Sequence, residues 1–201
     1  MVIVAGLSAI APDTYAQNGN RNARAATKQE KMDAWHRDMA EFRARSAQDR
    51  QMAALTDSIA SVQARAALQN QDFVLEADNV TFRNGSTVFV NSSTNFISVK
   101  GNRAVVQISP SNFASGPNGL GGVTVDGMIT SKQIRTDKKG RVTYSINVMG
   151  IGINAQVDIY MVPGTNSASA TIYPNFNSNT VWLEGNIVPY DNSNVIEGSS
   201  L

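Results

Sequence analysis

The chain has 201 residues, of which 42% are apolar and only 16% are charged, and its formal net charge is +1. This length suits one folded domain with an appended segment, and the near-neutral charge gives no indication of a nucleic-acid partner or an anionic membrane surface. The chain contains no cysteine, which excludes disulfides, thiolate metal sites, thiol nucleophiles and an acylated lipobox cysteine.

An uncharged apolar run occupies residues 2–11. It has the length of a signal-peptide core and is too short to cross a bilayer, which takes about 20 apolar residues. Thr14 and Ala16 place small residues at the positions that signal peptidase reads. Residues 1–16 are therefore predicted to be a signal peptide that is removed before Gln17, and the mature protein is expected in the periplasm or the medium. No Lys or Arg precedes the run, so either the true start lies upstream or the signal is atypical. A buried N-terminal strand is the alternative to a signal peptide.

Helix-forming residues dominate the next stretch. Residues 17–26 are Gln, Asn, Gly, Arg and Ala, and they are predicted to be a disordered leader. Thr27 and Glu30 match a capping box, which predicts an amphipathic helical segment over residues 27–70. Two apolar stripes follow: Met32, Trp35, Met39 and Phe42, and then Met52, Leu55, Ile59, Val62 and Ala66. Because the stripes lie roughly 100° apart around a helix, the segment is either two helices or one helix that changes partner.

From Phe73 onward the apolar period becomes two, and turn signals recur at short intervals. This pattern predicts an antiparallel β domain over residues 71–201, with about eight or nine strands. Successive hairpins imply a meander that forms a barrel-like or sandwich domain, and the barrel-like form is favoured. Within it, Asn84-Gly85 predicts a two-residue hairpin that places Val80 opposite Phe89.

A second hairpin is predicted around Met149-Gly150, where the parity of the apolar residues changes. A two-residue turn there would pair Val148 with Ile151 and Val142 with Val157, keeping both apolar sets on one face. The side chains expected to be buried on that face are Val142, Tyr144, Ile146, Ile153, Val157 and Ile159.

Several short motifs are spread along the β half. They are Phe-Val-Leu-Glu-Ala-Asp at 73–78, Gly-Pro-Asn-Gly-Leu-Gly-Gly at 116–122, Val-Asp-Gly at 125–127, Thr-Asp-Lys-Lys-Gly at 136–140, Asn-Val-Met-Gly at 147–150 and Pro-Asn-Phe-Asn-Ser-Asn at 174–179. Together they resemble the exported Bacteroidetes proteins of domain-of-unknown-function family 4251, over roughly residues 55–201. The resemblance implies an envelope or secreted location and no assigned activity. Many members look like lipoproteins, whereas this chain has no cysteine to acylate.

The residues that usually carry catalysis are scarce. His36 is the only histidine, and one histidine cannot build a histidine-based zinc or iron site, so no metal is predicted. The Gly116–Gly122 loop precedes Val-Thr-Val, which is typical of a strand. A phosphate-binding loop needs a helix there, so a wide turn is predicted instead and no cofactor is expected.

The carboxylates of the β half offer no pair at a catalytic separation. They are Asp126, Asp137, Asp158 and Glu184. A lone histidine also argues against a Ser-His-Asp triad, so the chain is not expected to be an enzyme.

Three aromatic residues are the candidate ligand-binding residues. Tyr160, Tyr173 and Trp182 are predicted to lie on the sheet face opposite the apolar side chains. Their polar neighbours there would be Asn154, Gln156, Asp158, Thr171 and Glu184. Such a face can receive a ligand or a packed helix, and the first helix stripe is the alternative occupant, while a different strand register would disperse the three rings.

These patterns favour a non-catalytic binding module for a small apolar or glycan ligand. The alternative is a structural or interaction protein of the envelope whose N-terminal helix docks a partner of unknown identity.

Overall fold

The computed structural model describes residues 13–109, 122–150, 154–175 and 180–198, with side chains from Thr27 onward. The chain divides into two compact units, one ending at Ala53 and the other beginning at Ala54. The first unit is helical in its described part. The second contains the end of the helix and all the strands.

One continuous helix, α1, spans Asp13–Asn70. Residues 17–26, predicted to be a disordered leader, lie inside α1, so Thr27 is an interior residue and the predicted helix start there is wrong. Ala and Arg in the leader favour a helix, and Gly19 costs only about 1 kcal/mol relative to Ala. The alternative of two separate helices is also not found. None of the described helix is apolar over a length that could cross a membrane.

Nine strands lie in the described residues. They are β1 Asp72–Phe82, β2 Thr87–Phe89, β3 Phe96–Lys100, β4 Arg103–Ile108, β5 Val123–Thr136, β6 Val142–Gly150, β7 Asn154–Met161, β8 Ser167–Pro174 and β9 Val181–Pro189. A short 3-10 helix, Tyr190–Asn192, follows β9. Tight turns join several of the strands, and glycines with positive φ occupy them, for example Gly101 at +61° between β3 and β4.

Eight of these strands close into an antiparallel barrel. Strands β3 to β9 pair in chain order, and β1 pairs with both β3 and β9. The closing ladder runs from Phe73 opposite Pro189 to Phe82 opposite Val181. Strand β2 pairs only with the end of β1 and lies outside the ring. The predicted barrel-like meander is confirmed, and the sandwich is not found.

The barrel interior is filled by one apolar core. Alternate side chains of the eight strands point inward, and the largest of them, such as Phe73, Tyr144 and Leu183, are fully buried. Leu68, with two alanines of the last turns of α1, belongs to the same core. Arg65 Nη2 also donates to the carbonyl oxygen of Gly140 in the β5–β6 turn, at 3.2 Å. The end of α1 therefore covers one end of the barrel.

In the β6–β7 hairpin the side chains predicted to point inward do so, but the two strands pair in a different register from the predicted one. Val142 pairs with Met161 and Val148 with Ala155, which is four residues away from the predicted pairing. An even shift leaves every side chain on its original face. Five of the six residues expected to be buried there are 0–1% exposed: Val142, Tyr144, Ile146, Val157 and Ile159. Ile153 and the predicted partner Ile151 lie outside the described residues.

The β1–β2 hairpin differs from the prediction by one residue. Val80 pairs with Val88, and Phe89 lies opposite Asn79. The loop contains three residues, 83–85, because the Phe82 N–H bonds the Ser86 carbonyl and Gly85 adopts a φ of +82°. This is a type I turn with a glycine bulge rather than a two-residue turn. A one-residue slip inverts the face, so Val80 is buried whereas Phe89 is 86% exposed.

Candidate functional site

The three candidate aromatic residues share the outer face of β7, β8 and β9. Tyr160 lies opposite Ser169, and Tyr173 lies opposite Gln156. Trp182 lies opposite Thr171, two residues from Tyr173. Tyr173 and Trp182 are therefore diagonal neighbours on adjacent strands, and their Cα atoms lie about 7–8 Å apart. The predicted face is confirmed, and we call this surface the aromatic face.

All three rings are partly accessible. The exposed fractions are 47% for Tyr160, 44% for Tyr173 and 39% for Trp182. Each side chain is therefore partly covered by its surroundings and partly open to solvent. Because three hydrogen-bonded strands of a closed barrel carry them, the spacing of the rings is fixed by the fold.

Hydrogen-bonding side chains surround the rings. Gln156 donates through Nε2 to Oδ2 of Asp158 at 3.0 Å, which orients both groups beside Tyr173. Thr171 lies between Asp158 and Trp182 in the cross-strand row, and Glu184 pairs with Ser169. The face thus combines apolar ring surface with amide, hydroxyl and carboxylate groups.

The first helix stripe lies in the first unit. Trp35 is 54% and Phe42 66% exposed, and Met32 is also exposed. The Trp35 and His36 rings are in edge contact, with centroids 5.0 Å apart. The sequence therefore correctly predicts an apolar helix stripe, and cover of the aromatic face by that stripe stays a prediction.

Asp126 is part of an ion cluster that the sequence reading did not find. Arg103 donates to both oxygens of Asp126, at 2.9 and 2.8 Å, and to Oε2 of Glu197 at 2.9 Å. These hydrogen bonds, the one to Asp126 first, raise the pKa of Arg103 above its usual value. The guanidinium bridges the two carboxylates, so this cluster is a structural clamp that joins β4, β5 and the C-terminal segment.

An open groove of about 390 Å³ borders this clamp. Besides Arg103 and Asp126, it is lined by Met128 and Met149 and by two glycines. Both methionines are 55% exposed. The groove lies on the outer surface of β4–β6, so it is distinct from the barrel interior.

Asp137 organises the turn between β5 and β6. Its Oδ1 accepts the N–H groups of Lys139 and Arg141, and its Oδ2 accepts Nε of Arg141 at 2.7 Å. The Arg141 guanidinium is the main reason that the pKa of this carboxyl lies below its ordinary value of 3.8. Gly140, with a φ of +79°, completes the turn.

The other predicted candidates do not converge. His36 is an exposed residue of α1, Asp158 lies on β7 and Glu184 on β9. Among the described residues, no group of three or more His, Asp or Glu side chains could hold a metal ion. The Gly116–Gly122 loop lies outside the described residues except for its last glycine, and strand β5 begins directly after it.

The C-terminal segment, residues 190–198, covers part of the barrel's outer surface. Tyr190 and Val195 pack against a second apolar cluster formed by Val74, Phe96 and Val105. Beneath it, Gln107 is fully buried and donates to the Ile196 carbonyl at 2.9 Å. A polar residue in an otherwise apolar strand, Ala-Val-Val-Gln-Ile at 104–108, was the available sequence signal for this contact.

Fold and surface together define an eight-stranded antiparallel β-barrel with an aromatic outer face. The model of the family DUF4251, a domain of unknown function, matches residues 57–187. The chain is also similar to the crystal structure of a DUF4251 family protein from Bacteroides eggerthii DSM 20697. The two share 46% sequence identity over 70% of this chain and 95% of that one, with a TM-score of 0.61. None of the curated proteins matches the sequence.

The chain therefore belongs to the DUF4251 family. The resemblance drawn from its short motifs is confirmed. The family description carries no activity.

Proposed function

We propose that the protein is an exported, non-catalytic binding module whose aromatic face takes a neutral glycan. The observation that carries this proposal is the placement of Tyr160, Tyr173 and Trp182, partly exposed and separated by hydrogen-bonding side chains, on three rigid strands. A sugar ring has apolar C–H faces and a rim of hydroxyls, so it is complementary to aromatic rings that alternate with amides and carboxylates.

The packed interior argues against an apolar ligand inside the barrel. An eight-stranded barrel is just wide enough either to be filled by side chains or to hold one small ligand. The described strands direct large side chains such as Phe73, Tyr144 and Leu183 into the barrel, and these are fully buried. Side chains that line a ligand-sized cavity would keep accessible surface, so the outer face is the better site.

The charges on the face select a neutral ligand. Strands β7, β8 and β9 contain no Lys or Arg, whereas Asp158 and Glu184 both lie on this face. An anionic polysaccharide would meet carboxylates of the same sign, while hydroxyls of a neutral sugar can donate to them.

A glycan array tests the proposal. We expect the purified protein to bind neutral hexasaccharides, such as cellohexaose, xylohexaose, mannohexaose or chitohexaose. The combined substitutions Tyr160→Ala, Tyr173→Ala and Trp182→Ala should abolish binding. The matched control is Phe89→Ala, which removes an aromatic ring that is 86% exposed but lies on β2. Equal binding by both variants would sink the proposal.

Export is supported by the apolar run at 2–11 and the small residues before Gln17. We expect protein expressed in a Bacteroides host to fractionate with the periplasm or the medium, with Gln17 as its first residue. Mass-spectrometric sequencing of the N-terminal peptide in that fraction is the measurement. Recovery from the cytosol with an intact Met1 would contradict this part of the proposal.

A second candidate function rests on the exposed stripe of α1. A helix that presents Trp35 and Phe42 to solvent can lay them into the groove of a partner protein, as amphipathic helices do. Limited trypsin digestion tests it, because Arg37, Arg43 and Arg50 lie on this segment. Rapid cleavage there in otherwise folded protein favours partner docking, and resistance favours packing of the helix on its own chain.

A further inference from the structure

The β5–β6 hairpin extends beyond its neighbour β4. The β4–β5 ladder ends where Arg103 pairs with Met128, whereas β5 continues to Thr136, opposite Val142 of β6. The segment Thr130–Thr136 therefore pairs with β6 on one side only. We call this segment the β5 edge.

The backbone of the β5 edge is available for pairing. All seven of its residues are exposed, and the last bond to the β4 side is from the Ile129 N–H to the Asn102 carbonyl. In the described part of the chain, no backbone hydrogen bond joins this edge to a strand other than β6. Because every second residue of an antiparallel strand directs its N–H and C=O away from its partner, these groups form a strand-binding template.

The edge is strongly basic. Lys132 and Arg135 lie on it, and Lys138 and Lys139 follow in the turn. The one carboxylate in this stretch, Asp137, is already occupied by Arg141 at 2.7 Å. Exposed positive charge without a local counter-charge therefore accompanies the unpaired backbone.

We infer that the β5 edge binds an extended acidic segment of a partner protein by strand addition. The unpaired N–H and C=O groups fit another backbone, which a polysaccharide or a lipid surface does not provide. A second copy of this edge would bring Lys132 and Arg135 of both chains together, and like charges on adjacent strands are destabilising. An acidic strand satisfies both the backbone and the charges.

Lysine residues and a bulge also protect sheet edges against aggregation. The register of β5 against β6 shifts between Ile129 and Ser131, so protection alone is the alternative role of this edge. Binding distinguishes the two roles: an edge with a partner binds an acidic strand, whereas an edge that is only protected against aggregation does not.

The probe is a fluorescein-labelled octapeptide of Thr and Val with two Glu residues three positions apart, the spacing of Lys132 and Arg135. We expect its fluorescence anisotropy to rise on addition of the protein, and amide hydrogen exchange at 130–136 to slow. Charge reversal by Lys132→Glu with Arg135→Glu should weaken binding by at least about tenfold, since two attractive cross-strand pairs become repulsive. The matched control, Lys28→Glu with Arg43→Glu, changes the net charge equally on the exposed helix and should bind as wild type.

Two control peptides complete the test. One carries Lys in place of Glu, and the other keeps both Glu residues but has N-methylated Thr and Val, which cannot pair as a strand. Neither should bind. Binding of the N-methylated peptide would mean a mere anion-attracting surface and would overturn the inference. Failure of the unmodified peptide to bind would also overturn the inference. The same holds if amide hydrogen exchange at 130–136 slows only because the protein self-associates.

Discussion

Gln107 joins three segments of the chain through one buried amide. Its Nε2 donates to the carbonyls of Thr94 and Ile196, and its Oε1 accepts the Thr124 hydroxyl and the Gly198 N–H. Every donor and acceptor of this side chain is therefore used, which is what burial of an amide requires. The C-terminal segment is held on the barrel by this residue as well as by the Arg103 clamp.

Replacing Gln107 with methionine should destabilise the protein by about 3 kcal/mol. The apolar side chain fills a similar volume but removes four hydrogen bonds, those with Thr94, Ile196, Thr124 and Gly198, at about 0.5–1.5 kcal/mol each. Urea unfolding measures the loss. The control Gln133→Met changes an exposed glutamine of β5 and should shift stability by less than about 0.5 kcal/mol. Equal effects would contradict the assigned role of Gln107.

Ile146 tests the interior of the barrel. It is 1% exposed and lies opposite Val157, so Ile146→Ala should cost about 2–4 kcal/mol in free energy of unfolding. Ile59→Ala makes the same change at a helix position that is 60% exposed and should cost little. A barrel that tolerated Ile146→Asp without a change in melting would show that the assigned inward face is wrong.

Asp137 should account for part of the stability that the protein loses in acid. Its pKa is lowered in the folded state, chiefly by the hydrogen bond from Arg141, so its stabilising contribution is present above its unfolded pKa. That contribution is lost as the pH falls through the lower, folded-state pKa. We expect Asp137→Asn to lose less stability than wild type between about pH 5 and pH 2. Stability curves of equal steepness in that range would contradict the role of this pair.

At the scale of elements, the sequence predicts which side chains of a strand point inward but not which residues of neighbouring strands pair. Alternation in Val142–Val148 specifies which side chains point inward, because a one-residue slip would expose all of them. That alternation does not specify the length of the following loop. The sequence therefore could not distinguish the observed β6–β7 pairing from the predicted one, which is four residues away. In the β1–β2 hairpin, Asn84-Gly85 suits two turn types, and the three-residue loop moved Phe89 to the opposite face.

The helix was predictable as an element but not in its extent or its partner. Its composition indicates α1, and its apolar stripes indicate two faces, but the second stripe is exposed and does not contact the barrel core. Ala64 and Leu68 reach the core, whereas Leu55, Ile59 and Val62 are exposed. Small alanines allow close approach of the helix to the barrel end, and this packing has no signature in a hydrophobicity pattern.

The candidate site was likewise predictable only in part. The positions of Tyr160, Tyr173 and Trp182 follow from strand parity, so the sequence predicted the face correctly. The Arg103 clamp joins residues that are 23 and 94 positions apart. Such contacts depend on barrel closure and on the path of the C-terminal segment, which local patterns do not encode.

For the whole molecule, the second unit contains a complete core of its own. All buried apolar residues of the barrel core lie between Ala64 and Ile187. A protein beginning at Ala54 should therefore unfold at the same urea concentration as the full chain. One beginning at Asp72 lacks Leu68 and should lose at least about 3 kcal/mol, the typical cost of deleting a buried leucine. Equal loss for both truncations would contradict the two-unit organisation.

A neutral glycan bound on the outer aromatic face should change the fluorescence of Trp182, and this measurement tests the proposed function most directly. The chain has two tryptophans, so Trp35→Phe leaves Trp182 as the only reporter. Titration with the hexasaccharide selected by the array should shift and saturate its emission, because a sugar stacked on the ring displaces water. The shift should disappear with Tyr173→Ala and persist with Phe89→Ala. Emission that does not change at saturating sugar, or that changes equally in both variants, would contradict the account.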